Sequence, residues 1–416
     1  MPPSPYIPRL AEARLEELFA GLPALSIVGP RATGKTTVAS RLTRTVVALD
    51  DPVQARAFEA DPDATLAALP EPVLLDEWQA VPEVLGAVKR SVDQGAGAGR
   101  FLLTGSVRAK FTGATWPGTG RVVDVHMYGL TQREIAGRLT VEAEPFLSKL
   151  EQADVDAFAM PPDPPDLLGY IELALCGGFP DAALDPSPET RSAWLGGYLD
   201  QLLTRDPETL HEDRDPRRLR LYFEALALNT AGLAQHKTLY DAAGIDHKTA
   251  TAYERLLTNL LVLDILPAWS TNRLSRMTRT GKRYLVDTSL AATALNLDQR
   301  AVLRDGDLLG RTIDTFVLAQ IRPEAALTSR RSRLYHLRTA DARHEIDLIA
   351  ELPGSDIVAV EIKSFAAPTR SDARHLEWLR EQLGERFLAG AVLHTGPRPF
   401  QLAERIFALP ICTLWG

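Results

Sequence analysis

From residue 9 to 21 apolar and charged residues alternate at helical spacing and stop at Gly21, which predicts an opening helix. Short apolar runs follow: ALSIVG from residue 24, TVVALD from 45, EPVLLDEWQ from 71 and GRFLLTGS from 99. Each has strand length and ends at Gly, Asp or another turn residue, and helical stretches such as GKTTVASRLTR separate them. Continuous apolar strands alternating with helices predict an α/β unit built on a parallel sheet.

The pattern then changes. Residues 140–215 read as helical, broken by PPDPPD at 161–166 and GGFP at 177–180. Helices are predicted at 219–230, at 236–243 and over IDHKTATAYERLLTNL, before apolar LVLDIL and a basic stretch at 271–285. Three helices and a β-hairpin predict a winged helix-turn-helix, with Asp246 capping the third helix and Lys248, Thr249, Thr251 and Tyr253 placed to touch DNA or a neighbouring subunit. From 306 a helix, the strands LYHLR, HEIDLIAEL and IVAVEIKS, a helix near 371–383 and FLAGAVLHTG make a second α/β unit. The expected boundaries are 1–140, 141–215, 216–295 and 300–416.

Candidate chemistry begins between the first strand and its helix. Gly29, Pro30, Arg31, Ala32, Thr33, Gly34, Lys35 and Thr36 satisfy G-x-x-x-x-G-K-[ST], with Thr37 following. The glycines let successive N–H groups turn inward around a phosphate, and the helix that follows adds the positive end of its dipole. Lys35 would reach the β- and γ-phosphates of ATP, and the Thr36 hydroxyl would bind Mg²⁺. The second half of such a site is an acid at the end of another buried strand. VLLDEWQ supplies Asp76 for the metal and Glu77 as the base that orients and deprotonates water. Thr104 or Ser106, at the end of LLTGS, is placed to sense the γ-phosphate. Arg121, after a glycine-rich loop, and Arg205 are candidates for an arginine finger; homo-oligomerisation follows if Arg121 acts in a neighbouring subunit's site.

Composition narrows the setting. The 416 residues are 45% hydrophobic and 24% charged, as in globular proteins, and their length predicts two or three domains. No apolar run approaches membrane-spanning length, so no membrane partner is expected. The opening MPPSPYIPRL has Pro where a signal peptide needs an apolar run, and two cysteines give neither a zinc spacing nor a disulfide framework. A cytoplasmic protein is expected. The net charge of −8 opposes indiscriminate attraction to polyanions, so contact with DNA would fall to two local basic stretches, 271–285 and 330–344.

The succession GPRATGKTT, LDDP at 49–52, DEWQAVPE at 76–83, LTGS at 103–106, GGFP, YLDQLLTRD at 198–206 and KRYLVDTSL at 282–290 resembles the prokaryotic AAA-type ATPases that carry a C-terminal domain of unknown function. The resemblance implies an AAA-type P-loop ATPase domain, a helical lid, a winged helix-turn-helix and a restriction-endonuclease-like C-terminal α/β domain. It also implies that Gly178 and Pro180, matching a Gly-x-Pro lid motif, contact the nucleotide base. The loop from Lys110 to Arg121 is longer and richer in Gly, Thr and Trp than the family pattern.

In the tail, Asp347, Glu361 and Lys363 resemble the D…E-x-K arrangement of PD-(D/E)xK nucleases. Two carboxylates on adjacent strands would bind Mg²⁺ or Mn²⁺ and polarise a phosphodiester, and Lys363 would position water. Asp314 stands where related junction-resolving nucleases add an acid from the preceding helix. The expected function is a Mg²⁺-dependent ATPase whose nucleotide state controls a nuclease-like module acting on or binding DNA. One alternative is an ATP-driven signalling or defence switch with an inert, partner-binding tail; another is a winged-helix DNA-binding regulator.

Overall fold

The computed structural model describes residues 6–95, 97–106, 120–139, 144–185, 187–209, 215–277, 279–327 and 332–416. The chain divides into two compact units. One is Pro8–Gly129 with Leu257–Leu261, and the other is built on Leu130–Leu256 and Val262–Gly416.

The first unit holds five parallel strands: β1 (Ala24–Val28), β2 (Thr45–Ala48), β3 (Val73–Asp76), β4 (Phe101–Gly105) and β5 (Val123–His126), in the order β2-β3-β4-β1-β5. The chain leaves β1 for β2 in one direction, and leaves β4 for β5 by crossing β1 in the other. The carboxyl end of β1 is therefore a switch point, the place where open parallel sheets form ligand crevices. Val73, Leu75, Phe101 and Leu103 of the central strands pack with Phe58, Leu85 and Val88 of the flanking helices into one core. In the helix Val84–Asp93 the buried positions Val84, Leu85, Ala87 and Val88 recur at three- and four-residue spacing, the stripe that binds a helix to a sheet. Strand β5 went unread in the sequence. It is an edge strand, only Val125 of its four residues is buried, and its pattern carries no continuous apolar run.

The second unit contains the helices Phe146–Glu151, Leu167–Cys176, Pro180–Ala183 and Pro188–Thr209, then Pro216–Leu228, His236–Ala242 and His247–Asn259. The antiparallel pair β6 (Leu263–Leu266) and β7 (Lys282–Leu285) follows. Asp246 caps the third helix of the trio as expected: its carboxylate accepts from Lys248 N, Thr249 N and Thr249 Oγ1. Tyr253 is a correction. It is buried, with its hydroxyl donating to Asp215 O, because its position on the helix faces inward.

The tail is a six-stranded mixed sheet, β8 (Arg333–Arg338), β9 (Glu345–Glu351), β10 (Ile357–Ile362), β11 (Phe387–His394), β12 (Phe400–Ala403) and β13 (Ile406–Pro410), ordered β12-β13-β11-β10-β9-β8. Alternate residues feed opposite faces. Val358 and Val360 join the core covered by the helices Leu167–Cys176 and Gly306–Leu327, while Ile357 and Ala359 join the core covered by Arg374–Leu383. Among the described residues no helix is long and apolar enough to cross a membrane.

Candidate functional site

The loop between β1 and the helix Lys35–Arg41 has the backbone its sequence demands. Gly34 sits at φ 87°, in the left-handed region, and Ala32 shares that region at φ 57°. A side chain at Gly29 would collide with the Met127 carbonyl, its Cβ only 2.0 Å from that oxygen, so the strand can pass this close to its neighbour only as glycine. The loop is also tied from outside. Arg9, buried at the start of the first helix, donates to Thr33 O at 2.6 Å and to Tyr128 O at 2.8 Å, and Thr33 Oγ1 donates to Pro30 O. Arg9 is a positioning residue that sequence reasoning missed. Nothing in its local context marks it, since its partners are 24 and 119 residues away.

Lys35 folds back over the loop, its Nζ 2.6 Å from Pro30 O, and is 5% exposed. Burial lowers its pKa to about 8, against the raising pull of Glu77 and Asp76. Thr36 Oγ1 donates to Asp76 Oδ1 at 2.8 Å, and Thr104 Oγ1 donates to the same oxygen. Pairing of β3 beside β4, and β4 beside β1, aligns the three strand ends so that loop hydroxyl, acid and threonine converge.

Glu77 follows β3 with φ 49° and ψ 46°, a conformation uncommon for a glutamate. Its carboxylate accepts from Ser106 Oγ at 3.1 Å and from Gln79 Nε2. Ser106 thus stands beside the proposed base, and Thr104 beside the proposed metal ligand. Gln79 is a second contact the sequence did not advertise.

The donor set at the loop fits a Mg²⁺-nucleotide. A hydroxyl and a carboxylate oxygen, the hard donors magnesium takes, meet at one point beside the glycine loop. Of the other loop positions, Pro30 is buried while Arg31, Ala32 and Thr37 are exposed.

Arg121 lies in the same unit and pairs with Asp93 at 2.6 Å, while most of the loop before it, 107–119, is outside the described residues. Arg205 is exposed on the helix Pro188–Thr209. Gly178 and Pro180 belong to the second unit. There the Gly178 N–H donates to Asp287 at 2.7 Å and its carbonyl accepts from Leu130 N, so both backbone groups are engaged within that unit. The GGFP turn is thereby pinned to the DTS segment that begins at Asp287.

The tail brings its acids together. The register Val360↔Leu348 puts Asp347 of β9 across from Glu361 of β10, and the helix Gly306–Leu327 supplies Asp314. Between two of them lies a residue of the basic stretch 271–285: Lys282 Nζ is 2.8 Å from Asp347 Oδ1 and 3.2 Å from Asp314 Oδ2. Tyr284 OH donates to Asp314 Oδ1 at 3.0 Å, and Ile362 N donates to Asp347 Oδ2 at 3.0 Å. Lys363 Nζ stands 3.5 Å from Glu361 Oε2, while Glu361 Oε1 is buried without a hydrogen-bond partner.

Burial drives the electrostatics here. It pushes Asp314 up to about 6 and, with the charge of Asp347 beside it, lifts Glu361 well above the usual carboxylate range. Asp347 is also buried, but Lys282 outweighs that and holds it below the ordinary value. Among the described residues no group of His, Cys, Asp and Glu is arranged to hold a metal ion, and an ammonium sits where the cation was expected.

In the basic stretch 271–285 three of the five cations turn inward, while Arg273 stays exposed. Arg276 pairs with Glu351 at 2.6 Å, Arg283 pairs with Glu254 at 2.5 Å, and Lys282 is buried.

Family comparisons divide the chain in three. An AAA domain matches residues 22–136, a domain of unknown function (DUF8612) matches 168–301, and a second (DUF4143) matches 309–414. Uncharacterized proteins of Mycobacterium tuberculosis and Mycobacterium bovis are each 29% identical to this chain over 407 residues, 97% of this chain and 83% of theirs. A Walker-type ATPase of Pyrococcus abyssi aligns with a TM-score of 0.42 and 13% identity, over 70% of this chain and 96% of its own.

Proposed function

We propose that the first unit binds ATP with Mg²⁺ and hydrolyses it at the crevice beyond β1, β3 and β4. The observation that carries this reading is the meeting of Thr36 Oγ1 and Asp76 Oδ1 at 2.8 Å beside the glycine loop, within a segment that matches an AAA domain. Backbone N–H groups from Gly29 to Thr36 would hold the phosphates, and Lys35 would exchange its contact with Pro30 O for the β- and γ-phosphate oxygens. Thr36 and Asp76 would hold Mg²⁺, which when bound offsets the charge of the triphosphate. Glu77, fixed by Ser106 and Gln79, would orient the attacking water and take its proton.

In this reading the nucleotide state is passed to the second unit, which acts as a partner-binding module. Titration of the full chain with an ATP analogue that is not hydrolysed tests the first step. Lys35→Ala removes one charge-assisted contact of about 1.5–3 kcal/mol, so affinity should fall roughly 10- to 100-fold. Unchanged affinity in a folded Lys35→Ala protein would place the nucleotide elsewhere or nowhere.

A further inference from the structure

We infer that Lys282 is the resident cation of the tail's carboxylate cluster, standing in the place of a divalent metal, so that Asp314, Asp347 and Glu361 form a closed, lysine-paired group.

Four observations carry this. First, one ammonium bridges a single oxygen from each of two carboxylates on different elements, Asp314 on a helix and Asp347 on β9, as a bound metal would. Second, all four oxygens of these two aspartates already accept a hydrogen bond from the protein: two from Lys282, one from Tyr284 OH and one from Ile362 N. Third, each of the three acids has a lysine beside it: Lys282 serves Asp314 and Asp347, and Lys363 Nζ lies 3.5 Å from Glu361 Oε2.

Fourth, the strand that carries Lys282 is anchored. Lys282 pairs with Leu266 across the hairpin, Arg283 O accepts from Ala231 N at 2.8 Å, and Leu285 N donates to Thr230 Oγ1. At its start, a side chain on Gly281 would lie 2.5 Å from Ile265, so the two strands are in tight contact. The ammonium is therefore held in place by an anchored strand, with 3% of the side chain exposed.

Replacing one partner of a buried ion pair leaves an uncompensated charge and destabilises the fold, whereas a metal ion supplied from solution can restore the balance. The test is Mn²⁺ titration of the nucleotide-free full chain, followed by paramagnetic resonance and by thermal melting. The wild-type chain and Asp347→Asn should take up the same amount of Mn²⁺, and Mn²⁺ should leave the wild-type melting temperature unchanged.

Lys282→Met should melt lower, and should gain one Mn²⁺ site at least tenfold tighter than any in the wild type. Mn²⁺ should restore its melting temperature, and adding Asp347→Asn should abolish the new site. Mn²⁺ uptake by the wild type that Asp347→Asn removes would overturn the inference, as would a folded Lys282→Met protein that gains no site. The wild-type comparison decides by itself if Lys282→Met does not fold.

Discussion

Thr36 Oγ1 and Asp76 Oδ1, forty residues apart in the chain, lie 2.8 Å from each other at the ends of a helix-opening loop and a buried strand. Neither residue is notable alone. Their meeting supports the proposed Mg²⁺ site, and each prediction about the first unit depends on that geometry.

Glu77 separates chemistry from binding. Its carboxylate accepts from Ser106 and Gln79, neither of them in the glycine loop. Glu77→Gln should retain nucleotide binding and lose roughly 10²- to 10⁴-fold in turnover, the range a positioned general base contributes. Steady-state phosphate release measured beside analogue affinity separates the two. Equal losses in both would assign Glu77 to binding.

Lys35 makes binding pH-dependent. Its pKa is lowered to about 8 chiefly by burial, so above pH 8 the free site increasingly holds a neutral amine. The triphosphate needs the ammonium, so binding must then take up a proton. Affinity should weaken toward tenfold per pH unit above about 8. Calorimetry at pH 8.5 in buffers of different ionisation enthalpy should report that uptake; a buffer-independent heat would contradict it.

Gly177 is irreplaceable for two reasons that act together. Its φ of 72° disfavours any other residue, and a Cβ would lie 2.2 Å from Asp287 Oδ1 and 2.5 Å from Ser289 Oγ. Gly177→Ala should destabilise the second unit by about 2 kcal/mol or more, read as a lowered denaturant midpoint. Gly196→Ala, inside the helix Pro188–Thr209 where nothing crowds the added carbon, is the control and should stabilise by about 0.5–1 kcal/mol.

His394 sets an acid limb on stability. Burial lowers its pKa from 6.5 to about 4, and its Nδ1 accepts from Gly396 N at 3.0 Å, a bond that protonation of that nitrogen would remove. The unfolded chain binds this proton near pH 6.5 and the folded chain only near 4. Stability should therefore fall as the pH drops through that window, by up to about 3 kcal/mol for this residue, and be unaffected above pH 7. In His394→Asn the side-chain oxygen can still take the Gly396 N–H and does not titrate, so melting temperatures from pH 7 to 4.5 should fall less than in the wild type.

Much of the first unit is legible in the chain itself. Four of its five strands, the phosphate loop and the acids Asp76 and Glu77 at the end of β3 follow from apolar run length, turn residues and motif spacing. These are local properties, set by which backbone angles glycine allows and which residues a buried strand tolerates. Strand β5 escaped because an edge strand with one buried residue carries little signal, and so did β12, an edge strand with none. Strand β13 is interior and buried at all five positions, so its run IFALP did carry the signal of a strand, though the sequence reading stopped short of it.

Folding decided the rest. The sequence shows five cations between 271 and 285 and suggests a surface for polyanions. Tertiary structure turns Arg276, Lys282 and Arg283 inward to Glu351, to Asp314 and Asp347, and to Glu254. A charge pattern records how many ionic groups a segment carries; the desolvation each group undergoes depends on neighbours scattered along the chain. The sequence by itself therefore determined the loop at Gly29–Thr36, whose chemistry is contiguous. Only the packing of β7 against β9 and the helix Gly306–Leu327 decided that the tail's carboxylates face a lysine, because that contact joins residues 32 and 65 positions apart.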